Sequence, residues 1–109
     1  MLKGTIVLVP FPFTDLSGNK VRPCVVLYEQ KTGDDCIVSF ISSIQKAKLG
    51  AFDLRIKATR SNGLKKDSVI KVNKLATLQK KIVLGELGQI EPTLMQGVDS
   101  RLKKMLQLT

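Results

Sequence analysis

The sequence predicts a mainly β chain of the α+β class, a small antiparallel β-barrel closed by a C-terminal helix. Three observations carry this expectation. Short runs rich in Val, Ile and Leu recur up to Ile90, each bounded by Gly, Pro, Asn, Asp or Ser. After Pro92 the apolar period changes from that of a strand to that of a helix. A chain of 109 residues suits one core, so residues 1–109 are expected to form a single domain.

Taken in order, Ile6 to Val9 is a continuous aliphatic run between Gly4 and Pro10, the pattern of a buried strand. Val21 to Tyr28 is the second strand, with Pro23 near its start, where a missing N–H is tolerated. A polar turn, Lys31 to Asp35, leads into Cys36 to Ile41, which ends at the hydroxyl pair Ser42-Ser43. Residues 44–51 show no period and read as loop. Phe52 to Lys57 alternates strictly, with Phe52, Leu54 and Ile56 on one face and a charged outer face of Asp53, Arg55 and Lys57. A turn containing Ser61-Asn62-Gly63 precedes a strand from Ser68 through at least Val72, with a bent continuation toward Leu78. A turn near Gln79 to Ile82 and a strand near Glu86 to Ile90 follow. In the final helix Leu94, Val98, Leu102, Met105 and Leu106 share one arc, and Pro92 suits its first position.

Charge is the first functional signal. The net charge of +9 lies wholly between residues 43 and 81, which hold eleven Lys or Arg against Asp53 and Asp67. Such a local excess favours nucleic acid, an anionic membrane or an acidic peptide, or else serves as a solubilising surface. The apolar arc of the last helix is explained by core packing, and no stretch approaches a membrane span or a signal peptide, so no membrane partner is expected. The absence of histidine excludes His-based triads, histidine-paired ribonuclease chemistry and His-containing zinc sites. Cys24 and Cys36 sit in apolar runs as buried reduced thiols of a cytoplasmic protein, and no metal or cofactor is expected.

The stretch from Pro10 to Pro23 stands apart. It leaves one strand, crosses Thr14, Asp15, Ser17, Gly18 and Asn19, and enters the next with Arg22 fixed before a proline. That order predicts a loop rooted in a guanidinium, which binds phosphate oxygens or pairs with Asp15 or Asp67.

The run Gly4-Thr-Ile-Val-Leu-Val, followed by Phe11-Pro-Phe-Thr-Asp-Leu-Ser-Gly-Asn-Lys-Val-Arg-Pro-Cys-Val-Val-Leu, resembles the N-terminal signature of the MazF/PemK-like toxins of type II toxin–antitoxin systems. Ile41-Ser42-Ser43, the stretch Asp67-Ser-Val-Ile-Lys-Val-Asn and the Pro92 to Leu106 helix extend the likeness over most of the chain. The resemblance implies an SH3-like barrel, a homodimer, and metal-independent endoribonuclease cleavage of single-stranded RNA. Attack by the 2′-hydroxyl would leave a 2′,3′-cyclic phosphate and a 5′-hydroxyl. The implied partners are a cognate antitoxin with an acidic flexible segment and, only together with it, operator DNA.

Arg22 aligns with the family's catalytic arginine and Ser42 with its catalytic threonine. Phe11, Phe13, Thr14, Asp15, Lys20, Ser43, Lys46, Lys48, Lys71 and Asn73 are the expected RNA-contacting positions. Phe11 and Phe13 either stack on bases or pin the loop to the barrel. In one branch of the family an arginine and an aspartate act where Lys71 and Asn73 stand here. Asparagine cannot serve as a general base. A non-catalytic binding protein on the same barrel is the competing expectation.

Overall fold

The structure, a computed structural model, describes residues 1–11, 20–43 and 48–108, without the side chain of Phe11. The described residues form β1 (Thr5–Phe11), β2 (Lys20–Glu29), β3 (Asp35–Ser42), β4 (Asp53–Ile56), β5 (Ser68–Gln79) and β6 (Gly85–Gln89). A 3₁₀ turn, Lys80–Ile82, joins β5 to β6, and helix α1 (Pro92–Met105) closes the chain. The strands pair antiparallel in one curled sheet, ordered β4-β5-β3-β2-β1-β6. The expected mainly β architecture with a C-terminal helix is what the chain adopts.

Alternation along the strands sends side chains to two apolar layers. On the helix side, Ile6, Val25, Ile41, Ile56, Ile70 and Val72 pack with Val98 of α1. On the opposite side, Val7, Val9, Cys24, Val26 and Val38 form a second layer covered by Ile82 and Val83. Full burial of each aliphatic side chain contributes about 1.5–3 kcal/mol relative to exposure, which is how a core almost without aromatics holds.

The two sheet edges are brought together by the turn after β4. Gln89 N–H of β6 donates to Ser61 O at 2.9 Å. A Cβ on Gly88 would stand 2.1 Å from Ser61 O, and one on Gly63, whose φ is +72°, 2.3 Å from Leu87 O. Only hydrogen at both α-carbons lets these backbones meet. Asn62 locks the turn, accepting from Thr59 N and Leu64 N and donating to Lys57 O.

Two details depart from expectation. Leu106 lies off the buried face and is 54% exposed, whereas Met95 packs against the core. The helix has already ended there: Leu106 is its C-cap, and Gln107 turns left-handed at φ 56°. Asp53 does not belong to an exposed charged face. It is 8% exposed, because the side chain of Lys71 and the backbone of Gly50 close over its carboxylate.

Candidate active site

Pairing registers place the candidate residues. Arg22 stands on β2 opposite Val9 of β1, and Ser42 ends β3 opposite Val69 of β5. Cys24 of β2 pairs with Phe40 of β3. Two residues further along each antiparallel strand, on the same face, are Arg22 and Ser42. Both half-buried, they line a shallow cleft of about 160 Å³ with Phe40 and Ile41. A forked cation and a neutral hydroxyl, twenty positions apart in sequence, thus converge on one opening.

The same alternation separates their neighbours. Val21 and Ser43 point to the other side of the strand ends, where they line an apolar cleft of about 380 Å³ with Leu64 and Leu87, lipped by Lys65 and Lys66. Ser43 is therefore not beside Ser42 in the Arg22 cleft.

Across the sheet the registers continue as two transverse rows. Ser42 pairs with Val69, and Val69 with Arg55 of β4. Phe40 pairs with Lys71, and Lys71 with Asp53. In the second row Lys71 Nζ donates to Asp53 Oδ2 at 2.9 Å, and Gly50 N–H donates to the same oxygen at 2.8 Å. Arg101 of α1 ties the helix to this strand by donating from Nε to the Asp53 carbonyl at 3.1 Å.

Asn73 is held away from this ladder. One step along β3, from Ser39 to Phe40, corresponds to four along β5, from Leu75 to Lys71, so Val72, Asn73 and Lys74 form a bulge. Ser39 Oγ anchors it by donating to Val72 O at 3.1 Å. Asn73 and Lys74 lie exposed on its outside.

Lys20 is exposed at the start of β2, opposite Phe11 in register, and Lys48 is exposed ahead of β4. Phe13, Thr14, Asp15, Lys46 and the Phe11 side chain lie outside the described residues. Phe40 lines the cleft and Asp53 and Arg55 share its face, although no sequence motif marks them. The alternation of Phe52 to Lys57 was the available signal for the last two, but only strand order shows that β4 shares a face with the cleft.

Cys24 and Cys36 are free and buried. Burial first, and then the neighbouring Cys36, pushes the Cys24 thiol up to about 12 from 9.0. Burial, with Glu29 nearby, also raises Cys36. Neither thiol supplies the thiolate that nucleophilic chemistry needs at neutral pH. Among the described residues no three His, Cys, Asp or Glu side chains group to hold a metal, and no helix is long and apolar enough to cross a membrane.

Comparison with known proteins agrees with this architecture. A family model described as PemK-like, MazF-like toxin of type II toxin–antitoxin system matches residues 2–106. No curated protein sequence matches the chain. Among solved structures, an endoribonuclease in complex with its cognate antitoxin from a mycobacterial species superposes with a TM-score of 0.79 at 12% identity, covering 100% of this chain and 97% of that one. The Mycobacterium tuberculosis toxin MazF-mt6 gives 0.76 at 16% identity, covering 96% and 98%. A MazE–MazF structure from Deinococcus radiodurans gives 0.76 at 18%, covering 97% and 94%. At these identities the likeness is one of fold.

Proposed function

The chain belongs to the PemK-like, MazF-like toxins of type II toxin–antitoxin systems, and from that premise we propose that it is an endoribonuclease that cuts single-stranded RNA at the Arg22–Ser42 cleft. The observation that carries the proposal is the convergence of these two side chains from β2 and β3 on one opening.

In this reaction the ribose 2′-oxygen bonds to the adjacent phosphorus, the bond from phosphorus to O5′ breaks, and a proton passes from the 2′-hydroxyl to O5′ overall. The products are a 2′,3′-cyclic phosphate and a 5′-hydroxyl. Internal attack needs in-line geometry and relief of the charge that builds on the non-bridging oxygens, and it needs no metal. Arg22 supplies the forked donors for those oxygens. Ser42 donates a hydroxyl hydrogen bond that orients the phosphate between strands. Lys20, two residues before Arg22 on β2, and Lys48, ahead of β4, are both exposed and available to attract the RNA backbone.

The same reading makes the protein cytoplasmic and dimeric, restrained by an antitoxin whose acidic flexible segment competes with RNA, and bound to operator DNA only in that complex. The mycobacterial and Deinococcus neighbours seen with an antitoxin or with MazE support the partner.

A second reading, a non-catalytic binding protein on the same fold, draws on Lys71 and Asn73. The Lys71 ammonium is engaged by Asp53, and Asn73 has no basic atom. One assay separates the two: single-stranded RNA is incubated with the protein in EDTA and the ends are mapped. Cyclic-phosphate ends that disappear with Arg22→Ala support the nuclease. Salt-sensitive binding without products supports the binder.

A further inference from the structure

On the reading of the cleft as a ribonuclease site, we infer that Arg55 is a second phosphate-binding arginine, so that RNA crosses the sheet transversely from β2 toward β4. Its position follows from one shared cleft and two strand registers. Arg22 and Ser42 occupy one cleft, Ser42 pairs with Val69, and Val69 pairs with Arg55.

The direction of the Arg55 side chain follows from its neighbour. Asp53, two residues earlier on β4, meets Lys71 at 2.9 Å, and Lys71 pairs with Phe40, which lines the cleft. Side chains two apart on a strand share a face, so exposed Arg55 projects on the cleft side of the sheet. From Arg22 to Arg55 is three inter-strand steps, about 14 Å, the span of a short run of nucleotides.

The row reads guanidinium, hydroxyl, buried valine, guanidinium. Only its first half has the geometry for chemistry, because the hydroxyl stands beside Arg22. Val69 separates Arg55 from Ser42 and offers no polar atom. Arg55 therefore holds a neighbouring phosphate and leaves the scissile one to Arg22. Lys71 lies one row inward, where Asp53 fixes its ammonium under the same track.

The test compares two substrates cut from the RNA site mapped for the wild type. A dinucleotide offers only the scissile phosphate, and a hexanucleotide offers its neighbours. Arg55→Gln is expected to lose about tenfold more on the hexanucleotide than on the dinucleotide, the loss of one charge-assisted contact. The salt slope of hexanucleotide binding should fall by about 0.7, the value for one phosphate on a single strand. Arg55→Lys should restore the slope. Lys104→Gln, which removes the same charge from exposed α1, should change neither substrate. Equal losses on both substrates, or no loss on the hexanucleotide, overturn the inference while the nuclease stands. A wild-type protein that neither binds nor cuts RNA overturns both.

Discussion

Lys71 and Asp53 face each other across β5 and β4 at 2.9 Å, the lysine side chain 30% exposed and the aspartate 7%. The carboxylate is thus almost dry, and its second donor is the Gly50 amide at 2.8 Å. Removing one member of such a pair leaves the other stranded, whereas replacing both by uncharged groups does not. Lys71→Ala is expected to lower the unfolding free energy by about 3 kcal/mol, read from denaturant midpoints. The double variant Asp53→Asn with Lys71→Met should recover most of that loss. Additive losses would mean that the pair is not coupled.

Arg22→Lys keeps the charge of the cleft but replaces a planar fork with a single ammonium. Loss of one preorganised donor at a developing oxyanion costs about 10²–10³ in turnover, and Arg22→Lys should fall in that range with folding unchanged by circular dichroism. Turnover within a factor of a few of wild type would remove Arg22 from the chemistry.

Ser42→Thr tests the hydroxyl by restraint. The added methyl limits χ1 while retaining the donor, so turnover should hold or rise. Ser42→Ala should lose activity while remaining folded by circular dichroism. Indifference of turnover to both changes would mean that Ser42 is an ordinary strand end.

The contact between β6 and the turn after β4 is probed by glycines. Gly88→Ala drives a Cβ into the Ser61 carbonyl, whereas Gly85→Ala meets nothing within 4 Å. Gly88→Ala should cost at least the 1–3 kcal/mol typical of overpacking, and Gly85→Ala should leave the melting temperature unchanged or raised.

Alkaline pH acts through Cys24. Its thiol is pushed from 9.0 to about 12 in the folded protein, so above pH 9 the unfolded chain loses a proton that the folded chain keeps. The stabilisation is fully present below pH 9 and is lost as pH rises toward 12, by about 1.4 kcal/mol per pH unit for one such group. Cys24→Val should flatten the stability profile between pH 9 and 11. An unchanged profile would show that the thiol is not desolvated. Below pH 8 the folded wild type should resist alkylation at this position.

The strands were legible because the core is aliphatic and each run is punctuated by turn residues, and α1 because its period changes at Pro92. The proposed roles of Arg22 and Ser42 come from the motifs around them, whereas their meeting in one cleft follows from the β2–β3 register. The burial of Asp53 was not, since alternation assigns a face and says nothing of what covers it. Nor was the place of Asn73. Its spacing from Lys71 implies a shared face, but the bulge at Val72–Lys74 moves it out of the ladder. Arg55 became a candidate only through the order of strands, which local sequence does not encode.

The alternation at the ends of β2 and β3 makes the proposed Arg22–Ser42 site conditional on correct strand register. A slip of β2 by one residue would turn Arg22 away and present Val21 in its place, because every side chain on a slipped strand changes face. A mispaired chain would then carry an aliphatic surface where the guanidinium belongs. The proposed site is therefore assembled only by the finished register.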